Sequence, residues 1–91
     1  MEQDINTFLE SHGNWQLIGD MLVGDWKLAD FTQLRQVVTQ LCDLADELDH
    51  HPTVTYGYNT VHVETTTHDA GNLITQKDLE LAQRVSQLVR E

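Results

Sequence analysis

Five histidines stand in a chain of 91 residues, and two of them, His50 and His51, are adjacent and directly precede the only proline, Pro52. Imidazole gains and loses a proton near neutral pH, so such a pair suits general acid–base work. Asp43, Asp46, Glu47 and Asp49 crowd the residues just before the pair. In a helix, negative charge at the C-terminal end opposes the macrodipole and costs about a few tenths of a kcal/mol per residue. A local rule broken this often asks for a compensating use. Asp46 lies four residues and Glu47 three residues before His50, spacings that put carboxylates on the imidazole's side of a helix. These carboxylates and the helix end both favour the imidazolium form that suits a general acid. A solvated acidic helix end, with two histidines as ordinary terminators, fits the same residues.

The remaining reactive side chains sort by position. His51 follows Leu48 by three residues and continues an apolar stripe, so it is expected at the boundary of core and cleft. His12 falls at the end of a first helix, where a cation is welcome. His62 precedes His68 by six residues, about 20 Å in an extended strand, so the two do not share a site and His62 reads as a surface strand residue. His50, His51 and His68 with Asp69 or Asp78 could ligate zinc, but no HExxH or paired-cysteine spacing accompanies them and no metal is expected. Cys42 sits in a helical stretch beside Leu41 and Ala45, where packing accounts for it better than nucleophilic chemistry. Asp78 stands three residues after Thr75, and a Thr-x-x-Asp box would place it at a helix start whether or not a substrate exists.

The elements that position these residues follow from periodicity. Phe31, Leu34, Val38, Leu41, Ala45 and Leu48 recur at steps of three and four, an amphipathic helix opened by Asp30 with Gln33 and closed near Asp49 or His50, because Pro52 disfavours helical geometry at His51. Thr75 with Asp78, then Leu81, Ala82, Val85, Leu88 and Val89, predict a last helix, and Asp4 to Gly13 a first one. Trp15 to Ile18, Met21 to Leu28, Val54 to Tyr58 and Val61 to Thr67 are rich in Val, Thr, Tyr and Trp and read as strands. The order is α-β-β-α-β-β-α, an α+β arrangement of two hairpins with the helices on one face. In the last strand Val61, Val63 and Thr65 share one side, with His62, Glu64, Thr66 and His68 on the other.

Size and charge set the bounds. The whole chain, residues 1–91, reads as one domain whose single two-layer core leaves room only for a shallow cleft or a site between subunits. Five Lys or Arg against fifteen Asp or Glu give a net charge of −10, which argues against direct binding of nucleic acid or an anionic membrane. No apolar run is long enough to span a bilayer, and the first twenty residues show no secretion signal. One cysteine cannot make an internal disulfide and fits a reduced, cytoplasmic setting.

Taken together, Asp46, then His50-His51-Pro52 after three residues, Tyr58 after five, His68 after nine and Asp78 after nine resemble the signature of the pterin-4a-carbinolamine dehydratases. Thr67-His68 with Gly71 and Leu73, Gly13-Asn14-Trp15, and the run from Trp26 to Phe31 are similar to other stretches of that family. The resemblance runs from residue 13 onward. It implies a four-stranded antiparallel sheet with helices packed on one face, in subunits that join sheet edges into dimers and pair again into tetramers. It implies removal of water from a 4a-hydroxytetrahydropterin, as in tetrahydrobiopterin recycling, with no metal or cofactor. His50 and His68 would then be acids for hydroxyls on opposite faces of the ring, and His51 a pterin-binding group or base. Asp46, Pro52 and Asp78 would belong to the substrate side of the site. Asn72-Leu73-Ile74-Thr75 reads as one residue longer than the common pattern, Trp26 and Leu28 stand where Phe is usual, and Thr53-Val54 replaces an acidic-Trp pair. Family-like proteins also act without catalysis, as a dimerisation cofactor for a homeodomain transcription factor or as Rubisco assembly factors. The acidic charge would suit a basic protein partner in that case.

Overall fold

The computed structural model describes residues 2–89. Helix α1 spans Glu2–Ser11, strands β1 and β2 span Trp15–Ile18 and Met21–Lys27, and helix α2 spans Phe31–Leu48. Strands β3 and β4 follow at Thr53–Tyr56 and Thr60–Thr65, then a one-turn 3-10 helix at His68–Ala70 and helix α3 at Gln76–Leu88. The expected order of helices and strands is present. The strand ends differ by a residue or two: β4 stops at Thr65 where the sequence alone carries the last strand to Thr67, and the 3-10 turn follows from His68, which the alternation pattern places on the strand's outer face.

Two hairpins make one antiparallel sheet in the order β1-β2-β4-β3. Gly24 of β2 lies opposite Val63 of β4, which puts Leu22, Gly24 and Trp26 on the same face as Val61, Val63 and Thr65. Those three β4 residues are buried while His62 and Glu64 are partly exposed, as period-two alternation requires. Ile5 and Phe8 of α1, Leu34, Val37, Leu41 and Leu44 of α2, and Leu79, Leu81, Ala82 and Val85 of α3 close the core over that face. Trp15 packs edge-on against Trp26, with ring centroids 5.2 Å apart. This leaves so little room that a Cβ on Gly24 would lie 2.5 Å from the Trp26 ring.

Helix α2 buries Leu34, Val37, Leu41, Leu44 and Ala45. Its buried stripe is therefore turned slightly from the one read off the sequence. Phe31 is left exposed, stacked on Tyr58 at 6.3 Å, and Val38 is only partly covered. Asp30 caps the helix by accepting from the Gln33 amide at 2.9 Å, and Gln33 accepts from the Ala29 amide. At the other end Asp49 adopts the left-handed conformation, φ 52°. Its N–H donates to the Asp46 carbonyl and that of His50 to the Ala45 carbonyl, which is a Schellman closure. The chain reverses there, and this reversal aims the two histidines. Among the described residues no helix is long and apolar enough to cross a membrane.

Candidate active site

Helix α3 begins on Thr75, whose hydroxyl accepts from the Lys77 amide, while the Asp78 carboxylate accepts from the Thr75 N–H at 2.9 Å. The capping box expected at Asp78 is therefore present. The same carboxylate is fully buried and accepts three further hydrogen bonds. Oδ1 takes the Thr65 hydroxyl at 2.5 Å and His50 Nε2 at 2.7 Å, and Oδ2 takes the Thr67 hydroxyl at 2.6 Å. Burial pushes the Asp78 carboxyl up, but the hydrogen bonds from Thr65, Thr67, His50 and Thr75 outweigh it and hold the group below the ordinary aspartate value.

An ionised carboxylate only accepts, and this fixes the protons around it. His50 Nε2 carries a hydrogen, so the proton that His50 exchanges with anything else sits on Nδ1. Thr67 Oγ1 gives its hydrogen to Asp78, so the 2.7 Å contact between Thr67 and Thr75 hydroxyls is a donation from Thr75. The hydrogen bonds run in one direction: Lys77 amide, Thr75 hydroxyl, Thr67 hydroxyl, Asp78.

His50 is thus partnered from α3, and the carboxylates of its own helix are engaged elsewhere. Asp46 pairs with His51, with Nε2 to Oδ1 at 3.0 Å, and Glu47 with Arg84 of α3 at 3.0 Å. The expectation that Asp46 and Glu47 flank His50 is corrected here. Helical spacing stops applying at Leu48, and the left-handed turn at Asp49 sends His50 inward, its side chain 10% exposed, while His51 stays outside at 60%.

Exposed, His51 lines a groove of about 300 Å³ with Asp46, Pro52, Val54, Val38, Leu41, Cys42 and Ala45. Its wall is mostly apolar, with Asp46, His51 and the Cys42 thiol as its charged or titratable members. Cys42 is exposed on this groove and is not packed in the core as the sequence suggested. The helix face that carries it is the one turned away by the shift of the buried stripe.

His68 opens the 3-10 turn, exposed, with Nδ1 2.7 Å from the Asn72 amide oxygen. Its neighbour Thr67 is buried and bound to Asp78, so His68 is anchored one residue from the carboxylate that holds His50. Hydrogen bonds therefore tie His50, Asp78 and the Thr67-His68 peptide together, whereas His51, Asp46 and Pro52 line the groove beside α2, and neither His50 nor His68 is part of its wall. Among the described residues no three His, Cys, Asp or Glu are grouped to hold a metal ion. His12 donates from Nδ1 to the Phe8 carbonyl, 2.8 Å away, and stacks on the Phe8 ring. His62 bridges Asp25 at 2.6 Å and Glu64 at 2.9 Å on the open face of the sheet. Hydrogen bonds to Glu64 and Asp25 raise its pKa despite partial burial.

Sequence reasoning missed Thr65, Thr67 and Asn72. For the threonines the signal was their phase: both continue the Val61, Val63 face, and a hydroxyl on an apolar strand face needs a buried acceptor. Asn72 left a weaker trace, as a residue tolerant of positive φ next to Gly71.

The sequence profile of the family described as Pterin 4 alpha carbinolamine dehydratase matches residues 1–88. This chain belongs to that family. A protein of Metallosphaera sedula provisionally named a pterin-4-alpha-carbinolamine dehydratase is 40% identical over 86 residues, covering 94% of this chain and 88% of its own. The crystal structure of a transcriptional coactivator/pterin dehydratase from Brucella melitensis superposes with a TM-score of 0.86 at 28% identity, over 97% of this chain and 95% of that one. A pterin dehydratase-like protein identified as a RuBisCO assembly factor in the alpha-carboxysome shares the fold, with a TM-score of 0.68 at 21% identity over 81% and 84% of the two chains.

Proposed function

We propose that this dehydratase-family chain removes water from a 4a-hydroxytetrahydropterin. The reaction expels the 4a-hydroxyl, which takes up a proton and leaves as water, and N5 loses its proton as the C4a–N5 double bond forms. One group must give a proton and another must take one, and no electrons are exchanged with a cofactor. His50 supplies the first from Nδ1, because Asp78 keeps Nε2–H occupied before and after transfer. His68 serves a hydroxyl on the opposite ring face or accepts the N5 proton, His51 accepts that proton where His68 acts as the acid, and His51 with Asp46 and Pro52 holds the heterocycle at the groove. Positioned acid–base groups of this kind are worth about 10² to 10⁴ in rate.

The observation that carries this reading is the Asp78 cluster, in which a fully buried carboxylate orients one imidazole and, through Thr67, anchors a second. The test generates the 4a-hydroxytetrahydropterin enzymatically and follows its dehydration by ultraviolet absorbance with wild type, His50→Ala, His51→Ala and His68→Ala. Wild type should outpace buffer, with each variant slower by at least tenfold. A wild-type rate equal to that of buffer refutes the proposal.

A non-catalytic role is the second reading, favoured by the fold shared with the RuBisCO assembly factor and by the net charge of −10, which suits a basic protein partner. Under it, alanine at all three histidines leaves partner binding intact.

A further inference from the structure

We propose that Asn72 is a positioning residue for His68, selecting which ring nitrogen faces the substrate; this rests on His68 acting in the dehydration proposed above. The turn that carries His68 is closed at its base by the Thr67 N–H donating to the Leu73 carbonyl at 2.9 Å and the Asn72 N–H to the Thr67 carbonyl at 3.1 Å. Thr67 is itself fixed to Asp78 and Thr75, so the base of the turn is part of the buried cluster. Reversal within six residues is reached by two consecutive left-handed residues, Gly71 at φ 77° and Asn72 at φ 63°. Glycine would satisfy the backbone at either position. At residue 72 the chain carries a side chain instead, and its amide oxygen returns to His68 Nδ1 at 2.7 Å.

An amide oxygen has no hydrogen to give, so His68 donates from Nδ1. In the neutral ring the lone pair is then on Nε2, the nitrogen further from the backbone. A histidine free in water prefers the other tautomer, with hydrogen on Nε2. Asn72 therefore holds His68 in the arrangement it would otherwise populate least, and leaves Nε2 as the atom that takes or returns a proton.

Two variants test this. Asn72→Gly keeps the left-handed turn and removes the amide, and Asn72→Asp keeps an acceptor at the same place. Long-range proton–nitrogen NMR correlations of His68, recorded without substrate, should show Nδ1–H in wild type, mainly Nε2–H in Asn72→Gly, and Nδ1–H again in Asn72→Asp. Turnover should follow: kcat lower by about three- to tenfold in Asn72→Gly, the scale of one neutral hydrogen bond, with KM and the melting temperature little changed and kcat recovered in Asn72→Asp. The proposal is overturned by Nε2–H in wild type, by a His68 spectrum that Asn72→Gly does not alter, or by a tautomer change with full turnover. A wild type that does not dehydrate the pterin, yet shows the tautomer series, overturns His68 catalysis and with it the positioning role in that reaction.

Discussion

Asp78→Asn turns one oxygen of a buried carboxylate into an amide nitrogen, and its four hydrogen bonds decide which one. Oδ2 accepts from the Thr67 hydroxyl and the Thr75 N–H, and Oδ1 from the Thr65 hydroxyl and His50 Nε2. A hydroxyl can rotate to accept and an imidazole can change tautomer, but a backbone N–H can do neither. The new NH₂ therefore takes the Oδ1 position, the α3 cap survives, and His50 is forced to carry its hydrogen on Nδ1. Hydrogen bonds to a charged group are worth about 1 kcal/mol more than neutral ones. Four such losses, less the relief of no longer burying a charge, leave a destabilisation of about 2 kcal/mol, or a melting temperature lower by roughly 8–16 °C in a chain of this size. Turnover should fall about 100-fold, because the nitrogen that faces the reaction now holds its proton in the neutral ring. The pH dependence has a definite sign. Asp78 is depressed in the folded state, so its contribution is present above the ordinary aspartate value, about 3.9, and is lost as pH falls through the lower folded value. Wild type and Asp78→Asn should therefore converge in stability only in acid. Calorimetry across pH, the dehydration assay and the nitrogen shifts of His50 check each step. A variant that melts with wild type, or in which His50 still carries Nε2–H, refutes the reasoning.

His62 has a raised pKa between Glu64 and Asp25, so its contribution is present below the ordinary histidine value, about 6.5, and is lost as pH rises through the folded value. His62→Gln should destabilise by less than about 1 kcal/mol at mildly acidic pH, since the site is one-third exposed, and not at all in alkali, as read by urea unfolding. Gly24→Ala drives a methyl into Trp26 and Trp15 and should cost about 1–3 kcal/mol, with a changed near-ultraviolet dichroism from the Trp pair. Maleimide modification of Cys42 should fill the groove beside His51 and abolish dehydration in wild type but leave Cys42→Ser active; full activity of the modified wild type would remove the groove from the substrate path.

Local rules made the fold readable: the 3.6-residue stripe of α2, the box at Thr75 and Asp78, and alternation in β4 each act within one element. Helical spacing failed where the chain leaves the helix. Asp46 and His50 are four residues apart, but the left-handed Asp49 lies between them, so the carboxylate meets His51 and the imidazole crosses to α3. The partner of His50 is 28 residues away in sequence, and no spacing argument reaches it. Asp78 was legible as a cap because capping is local, and its second task was hidden because it depends on how α3 docks on β4. The segment that reads as one residue longer, from Asn72, held its meaning in a side chain that folds back on His68.

Only two non-glycine residues among those described have positive φ, Asp49 and Asn72, and each directly governs a proposed catalytic histidine. Asp49 reverses the chain one residue before His50, and Asn72 reverses it and binds His68. Both conformations are uncommon for side-chain-bearing residues and persist only where the surroundings impose them. At Asp49 the imposition is the Schellman closure of α2; at Asn72 it is the Thr67–Leu73 bridge, itself tied to Asp78. The Asp78 cluster therefore restrains the turn under His68 as well as the ring of His50. Damage to it should impair both imidazoles together, and substitutions at Asp78 and Thr67 should act on turnover less than additively.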